Sequence, residues 1–186
     1  MNRTAFVCLL ASTLTLALMP VPQASAATGS WHVASGGAVP DGSFVGGTTR
    51  ANTPIYICRV TGDNFKIVGR MITPKGAPGP GCVYVKEGEI IVDAEEYEVL
   101  EEHPSYTWQD WADEVPEKAI VSGSGVGQSN NTHYICQASS PEDPNALIPG
   151  KFRDRDKICL IVYGKSPGLQ RTVHETTSGF KLLVKE

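Results

Sequence analysis

Four cysteines carry the most legible chemistry in this chain. Cys58 and Cys82 lie 24 residues apart, and Cys136 and Cys159 lie 23 apart. Four such residues allow three disulfide pairings, and an even number in an exported chain favours disulfides over free thiols. Zinc is the competing chemistry. It is disfavoured because the chain has no Cys-x-x-Cys pair and its histidines lack ligand-like spacing. The other reactive residue types form no catalytic set. Glu95-Glu96 and Glu101-Glu102 suggest the two carboxylates of a glycosidase, but neighbours on a strand point to opposite faces and cannot flank one bond. Ser122-Gly123-Ser124-Gly125-Val126-Gly127 is glycine-rich but lacks the lysine and helix start of a phosphate loop. No constellation supplies nucleophile, base and oxyanion donors together, so neither turnover nor a cofactor is expected.

The elements that position these cysteines are written twice. Trp31, the segment Val39 to Val45, Tyr56-Ile57-Cys58 and Cys82 recur as Trp111, the segment Val115 to Val121, Tyr134-Ile135-Cys136 and Cys159. The offsets are 80, 76, 78 and 77 in the same order. A near-constant offset signals duplication. The duplication selects one pairing, Cys58–Cys82 with Cys136–Cys159, because each repeat then keeps its own clip. It also predicts a pseudo-symmetric body with two related surface sites.

Strand signals dominate the rest. Ile55 to Val60 is β-branched and aromatic and runs into the turn cluster Thr61-Gly62-Asp63-Asn64. Cys82 to Val85 and Glu89 to Val92 flank a hairpin turn at Lys86-Glu87-Gly88. Apolar residues nowhere hold a 3.6-residue period over three turns, so the expected class is all-β, with short antiparallel strands. Residues 1–26 read as a signal peptide: Arg3, an apolar run to Met19, and Ala24-Ser25-Ala26 as a small-x-small cleavage site. Residues 27–186 are then one domain, with repeat one over 31–100, a packed connector over 101–110 and repeat two over 111–186. The predicted mature chain is secreted or periplasmic. Sixteen basic residues less Arg3 stand against twenty acidic ones, a net charge of −5 after cleavage. That balance argues against nucleic acid or anionic membrane as partner, and no later segment is long and apolar enough to span a bilayer.

The motif order resembles the DM-nine repeat family. The first copy shows Trp31, Val39-Pro40, Gly46-Gly47, Tyr56-Ile57-Cys58-Arg59, Gly69-Arg70, Cys82 and Tyr97-Glu98-Val99-Leu100. The second shows Trp111, Val115-Pro116, Gly123, Tyr134-Ile135-Cys136, Pro149-Gly150-Lys151, Cys159 and Tyr163-Gly164. The resemblance implies an intertwined pseudo-twofold fold and, from some members, a mannose-type glycan as ligand. It implies a binding position at Lys151 and Arg70, with Arg59 lining the same cleft or pairing with Glu98 or Asp63. The acidic partner of lectin members is replaced by Thr49 in the first copy and Gly127 in the second. The expected function is a secreted lectin-like module. The competing expectation is a structural or protein-interaction module without a small ligand, in which the scaffold serves a homodimer or a protein partner. Asn130-Asn131-Thr132 is a glycosylation sequon.

Overall fold

Turns cut the chain into fifteen short strands in a computed structural model that describes residues 27–72, 81–86, 91–124, 132–164 and 171–186. The signal segment, the turn at 87–90, Gly127 and the sequon at Asn130 lie outside the described residues. The first half holds β1 (Ala27–Thr28), β2 (Trp31–Ser35), β3 (Val45–Thr48), β4 (Pro54–Gly62), β5 (Phe65–Ile72), β6 (Cys82–Val85), β7 (Ile91–Ala94) and β8 (Glu96–Leu100). The second holds β9 (Tyr106–Asp110), β10 (Ile120–Ser124), β11 (Thr132–Ser140), β12 (Asp143–Arg153), β13 (Ile158–Tyr163), β14 (Thr172–Thr176) and β15 (Phe180–Lys185). All belong to one hydrogen-bonded network, as the all-β expectation required.

The ladders repeat. Ile57 faces Arg70 across β4 and β5 as Ile135 faces Lys151 across β11 and β12. Cys58 faces Val99 as Cys136 faces Leu182. Val45 opposes Tyr56 and Val121 opposes Tyr134, each just before the same register shift. One residue equivalence needs correction. Trp31 faces Leu100, and the matching place opposite Leu183 belongs to Trp108, not Trp111. Equivalence is set by ladder partners, and a second tryptophan three residues on masks it in the sequence. The segment 101–110, read as a connector, accordingly supplies β9, the counterpart of β2. Trp111 instead stacks on Phe180 with ring centroids 5.3 Å apart and meets Phe152 at 4.9 Å.

The halves exchange strands. β3 joins β12 through Thr48 and Leu147, and β1 runs parallel to β10. Glycine makes the exchange possible at two equivalent points. A Cβ on Gly47 would strike the Leu147 carbonyl, and one on Gly123 would strike the Lys66 carbonyl. The residues between the halves come in equivalent pairs: Ile57 with Ile135 and Leu100 with Leu183 are buried in one cluster, with half-buried Trp31 and Trp108 packed against it. Val83 with Leu160 and Val85 with Val162 form another. The pseudo-twofold axis therefore passes through a shared core. Truncating one of its isoleucines to alanine costs about 2–5 kcal/mol. Away from the axis, Cys58–Cys82 and Cys136–Cys159 form as the duplication predicted, each inside its own repeat. Each is fully buried in a flanking cluster.

Candidate functional site

Each repeat carries a glycine followed by a cation on its longest hairpin: Gly69-Arg70 on β5 and Gly150-Lys151 on β12. The glycines let the next strand close in. A Cβ at Gly69 would strike the Val83 carbonyl, and one at Gly150 the Leu160 carbonyl. Strand alternation then sends Arg70 to the face that carries Val68 and Ile57, which is the face toward the other repeat.

The two cations cross the seam in opposite directions. Arg70 donates through Nε to the carbonyl of Val162 on β13. Lys151 donates through Nζ to the carbonyl of Val85 on β6, at 3.0 Å. Val85 and Val162 are themselves equivalent residues, so the exchange obeys the pseudo-symmetry. Arg70 is 3 % exposed and Lys151 5 %. Both line one small recess whose walls come from β5, β6, β12 and β13. The two related cationic positions thus share a single recess on the axis.

At the rim, Arg171 donates through Nη1 to Asp93 on β7. Burial lowers the Arg70 pKa to about 10, the neighbouring Arg171 lowers it further, and Asp93 opposes both. Arg70 remains charged at neutral pH. Among the described residues, Arg171 and Asp93 are therefore the charged neighbours that act on Arg70.

The other two expected contacts are not recess residues. Arg59 is held by Glu98, directly opposite on β8, with Nε–Oε2 at 2.7 Å and Nη2–Oε1 at 3.0 Å. Its guanidinium also lies 4.2 Å from the centroid of Trp31. The hydrogen bonds from Arg59, aided by its charge, hold the Glu98 carboxyl below its usual range against the effect of burial. Thr49 closes the turn between β3 and β4: its hydroxyl accepts from Thr53 N at 3.1 Å and its N–H donates to Thr53 O at 2.9 Å.

Two interior polar residues carried no sequence signal of their role. Gln137, the counterpart of Arg59, is buried and donates through Nε2 to the Gly46 carbonyl at 2.5 Å, across the halves. His133, the counterpart of Ile55, is 2 % exposed, and its Nδ1 has no hydrogen-bond partner. Burial pushes its pKa down to about 4, with Lys151 and Arg153 adding repulsion and a hydrogen bond to the Lys66 backbone opposing. The ladder partner explains the burial, because His133 points where an isoleucine points in repeat one. Among the described residues no cluster of three or more His, Cys, Asp or Glu side chains is placed to hold a metal ion. No described helix is long and apolar enough to cross a membrane.

A duplicated all-β body, clipped by one disulfide per repeat and sharing a cationic recess on its axis, defines a tandem-repeat β module. The chain belongs to the DM9 repeat family, whose model matches residues 17–77 and 69–168. Among solved structures it is similar to the nematode sperm cell motility protein MFP2B, with a TM-score of 0.58 and 13% sequence identity. That likeness covers 86% of this chain and 45% of the other, so the chain spans less than half the length of that protein. At such identity the likeness is one of fold. No curated protein matches the chain in sequence.

Proposed function

We propose that this chain is a secreted, lectin-like module that binds a glycan without turning it over, with Arg70 and Lys151 at the contact. The observation that carries the reading is the convergence of two equivalent cations on one open recess. DM9 membership supports it, because the expected binding position of that family falls on these two residues. Arg59 and Thr49 stand behind it as supports: Arg59 is committed to Glu98, and Thr49 shapes the turn after the exchanged strand β3. Export is supported by the leader pattern and by two buried disulfides, which persist in oxidising compartments.

One observation favours a second reading, a structural or protein-interaction module. Both cations already donate to carbonyls across the seam, which is what a clamp between repeats would do. A glycan array on the mature chain, followed by calorimetry on any hit, separates the two. Binding that is lost in Arg70→Gln and Lys151→Gln while the far-ultraviolet spectrum is kept supports the lectin reading. A blank array removes it and leaves the clamp.

A further inference from the structure

β2 is an open sheet edge without a guard. Among the described strands, β1, β2, β7, β9 and β14 each pair on one side only. Such edges invite a further strand, and proteins blunt them with shortness or charge. β1 is two residues long, and β7, β9 and β14 carry Asp93, Asp110 and Glu175. β2 reads Trp-His-Val-Ala-Ser and carries no Asp, Glu, Lys or Arg. At its centre Val33 is 85 % exposed, the most exposed large apolar side chain among the described residues. Repeat two puts Asp110 at that place, since Val33 faces Glu98 as Asp110 faces Lys181. The backbone of β2 is open too. Glu101 N donates to the Ser30 carbonyl at 3.0 Å, and Gly36 N to the Glu95 carbonyl at 2.9 Å. Both pairs continue the β2–β8 register. His32 and Ala34 therefore turn their backbone groups toward β8, and Trp31, Val33 and Ser35 turn theirs outward. The Ser35 carbonyl accepts from Ala38 N, but the outward groups of Trp31 and Val33 bond to no described residue. A Cβ on Gly36, just beyond the strand, would meet nothing within 4 Å.

We propose that β2 is a dimer edge: it pairs antiparallel with β2 of a second copy of this chain, about a twofold axis at Val33. In that register Val33 exchanges both backbone hydrogen bonds with the partner's Val33, and Trp31 lies opposite the partner's Ser35. Charge selects this pairing over the alternatives. Within β2 no charged side chain meets its like. Glu98, in the next strand, is bound by Arg59 and stands three strand spacings, about 14 Å, from its mate. β9 paired with itself in the same way would set Asp110, 86 % exposed, directly against a second Asp110. β2 paired with β9 is a head-to-tail contact that grows into a filament unless it closes, and Asp110 puts a charge in that contact. The twofold β2 pair closes without one. It lies apart from the recess walls β5, β6, β12 and β13, so it stands whichever reading of the recess holds.

The test is sedimentation equilibrium on the mature chain, with amide hydrogen exchange read residue by residue. A concentration-dependent dimer is expected, and the Trp31 and Val33 amides should slow by about tenfold or more as it forms. Val33→Pro removes an N–H that the monomer leaves unbonded, so it should keep the urea midpoint and weaken the dimer by about tenfold or more. Val33→Lys sets two like charges face to face and should weaken it similarly. Asp110→Val opens the second edge and should yield species larger than a dimer. A monomer at every concentration up to about 1 mM, a dimer indifferent to Val33→Lys, or a dimer in which the Val33 amide exchanges as fast as in the monomer overturns the assignment. An Asp110→Val chain that stops at the dimer overturns the guarding role of that residue.

Discussion

Acidification should unfold this protein through one buried ring. His133 sits on β11 with 2 % exposure, its Nδ1 unpartnered, and Lys151 and Arg153 nearby. Its pKa falls from 6.5 to about 4 in the folded chain. The folded state therefore binds fewer protons than the unfolded state between those two values, and stability rises with pH across that window. The contribution is fully present above pH 6.5 and is lost as pH falls toward the folded value. Linkage gives a loss of about 2 kcal/mol by pH 5 and about 3 kcal/mol by pH 4. Repeat one supplies the control, because the ladder places Ile55 where repeat two has His133. His133→Ile removes the titration and fills the same kind of site. Urea unfolding of both proteins at pH 7, 5 and 4 should show the wild type losing those amounts relative to the variant. Carboxylates such as Glu98 contribute equally to both curves and cancel in the difference. Parallel pH profiles, or a proton NMR titration that finds His133 near 6.5, would refute the reasoning.

Three further outcomes follow from the exchanged architecture. Peptide mapping without reduction should join Cys58 to Cys82 and Cys136 to Cys159, and replacing either pair with serine should lower unfolding free energy in urea by about 3 kcal/mol. Gly150→Ala places a methyl against the Leu160 carbonyl and the Ile161 side chain, so it should part β12 from β13. Hydrogen exchange at Leu160 to Val162 reads that directly, and unchanged protection there would contradict the packing. Gln137→Arg recreates the repeat-one residue beside Lys181, where repeat one has Glu98. A buried unpaired cation should cost about 3 kcal/mol, and adding Lys181→Glu should restore part of it in a double-mutant cycle.

Much of this fold is legible because β-ladders and disulfides leave local marks. The Tyr-Ile-Cys strand, the turn cluster after Val60 and the cysteine spacings are short-range patterns, and all reappear as β4, β11 and two intra-repeat bridges. The tryptophans mislead because composition does not encode register. Trp108 and Trp111 are both apolar and aromatic, and only the partner strand β15 separates the residue facing Leu183 from the one beside Phe180. The site is half legible for a similar reason. A glycine before a cation marks where each side chain leaves its strand, but the carbonyl it reaches lies 92 residues away for Arg70 and 66 residues away for Lys151. No local pattern reports a contact made across a seam. Arg59 is the intermediate case: opposite charges at Arg59 and Glu98 suggested the pair, and ladder register made it.

Several residues that meet at the axis stay matched in both copies, and some that lie away from it differ, the disulfides excepted. On the axis a residue packs beside its own counterpart, so one substitution in the ancestral repeat would have appeared twice in one small volume. Ile57 with Ile135 and Leu100 with Leu183 remain matched apolar pairs of nearly equal size there. Away from these pairs the match is looser. There Arg59 with Glu98 in one half stands against Gln137 with Lys181 in the other, and Ile55 stands against His133. Arg70 and Lys151 belong between these classes. Their backbones lie off the axis, but their side chains reach across it to equivalent carbonyls and keep a positive charge in both copies. A clamp alone would be served by any donor, including a neutral one that avoids the cost of burying charge.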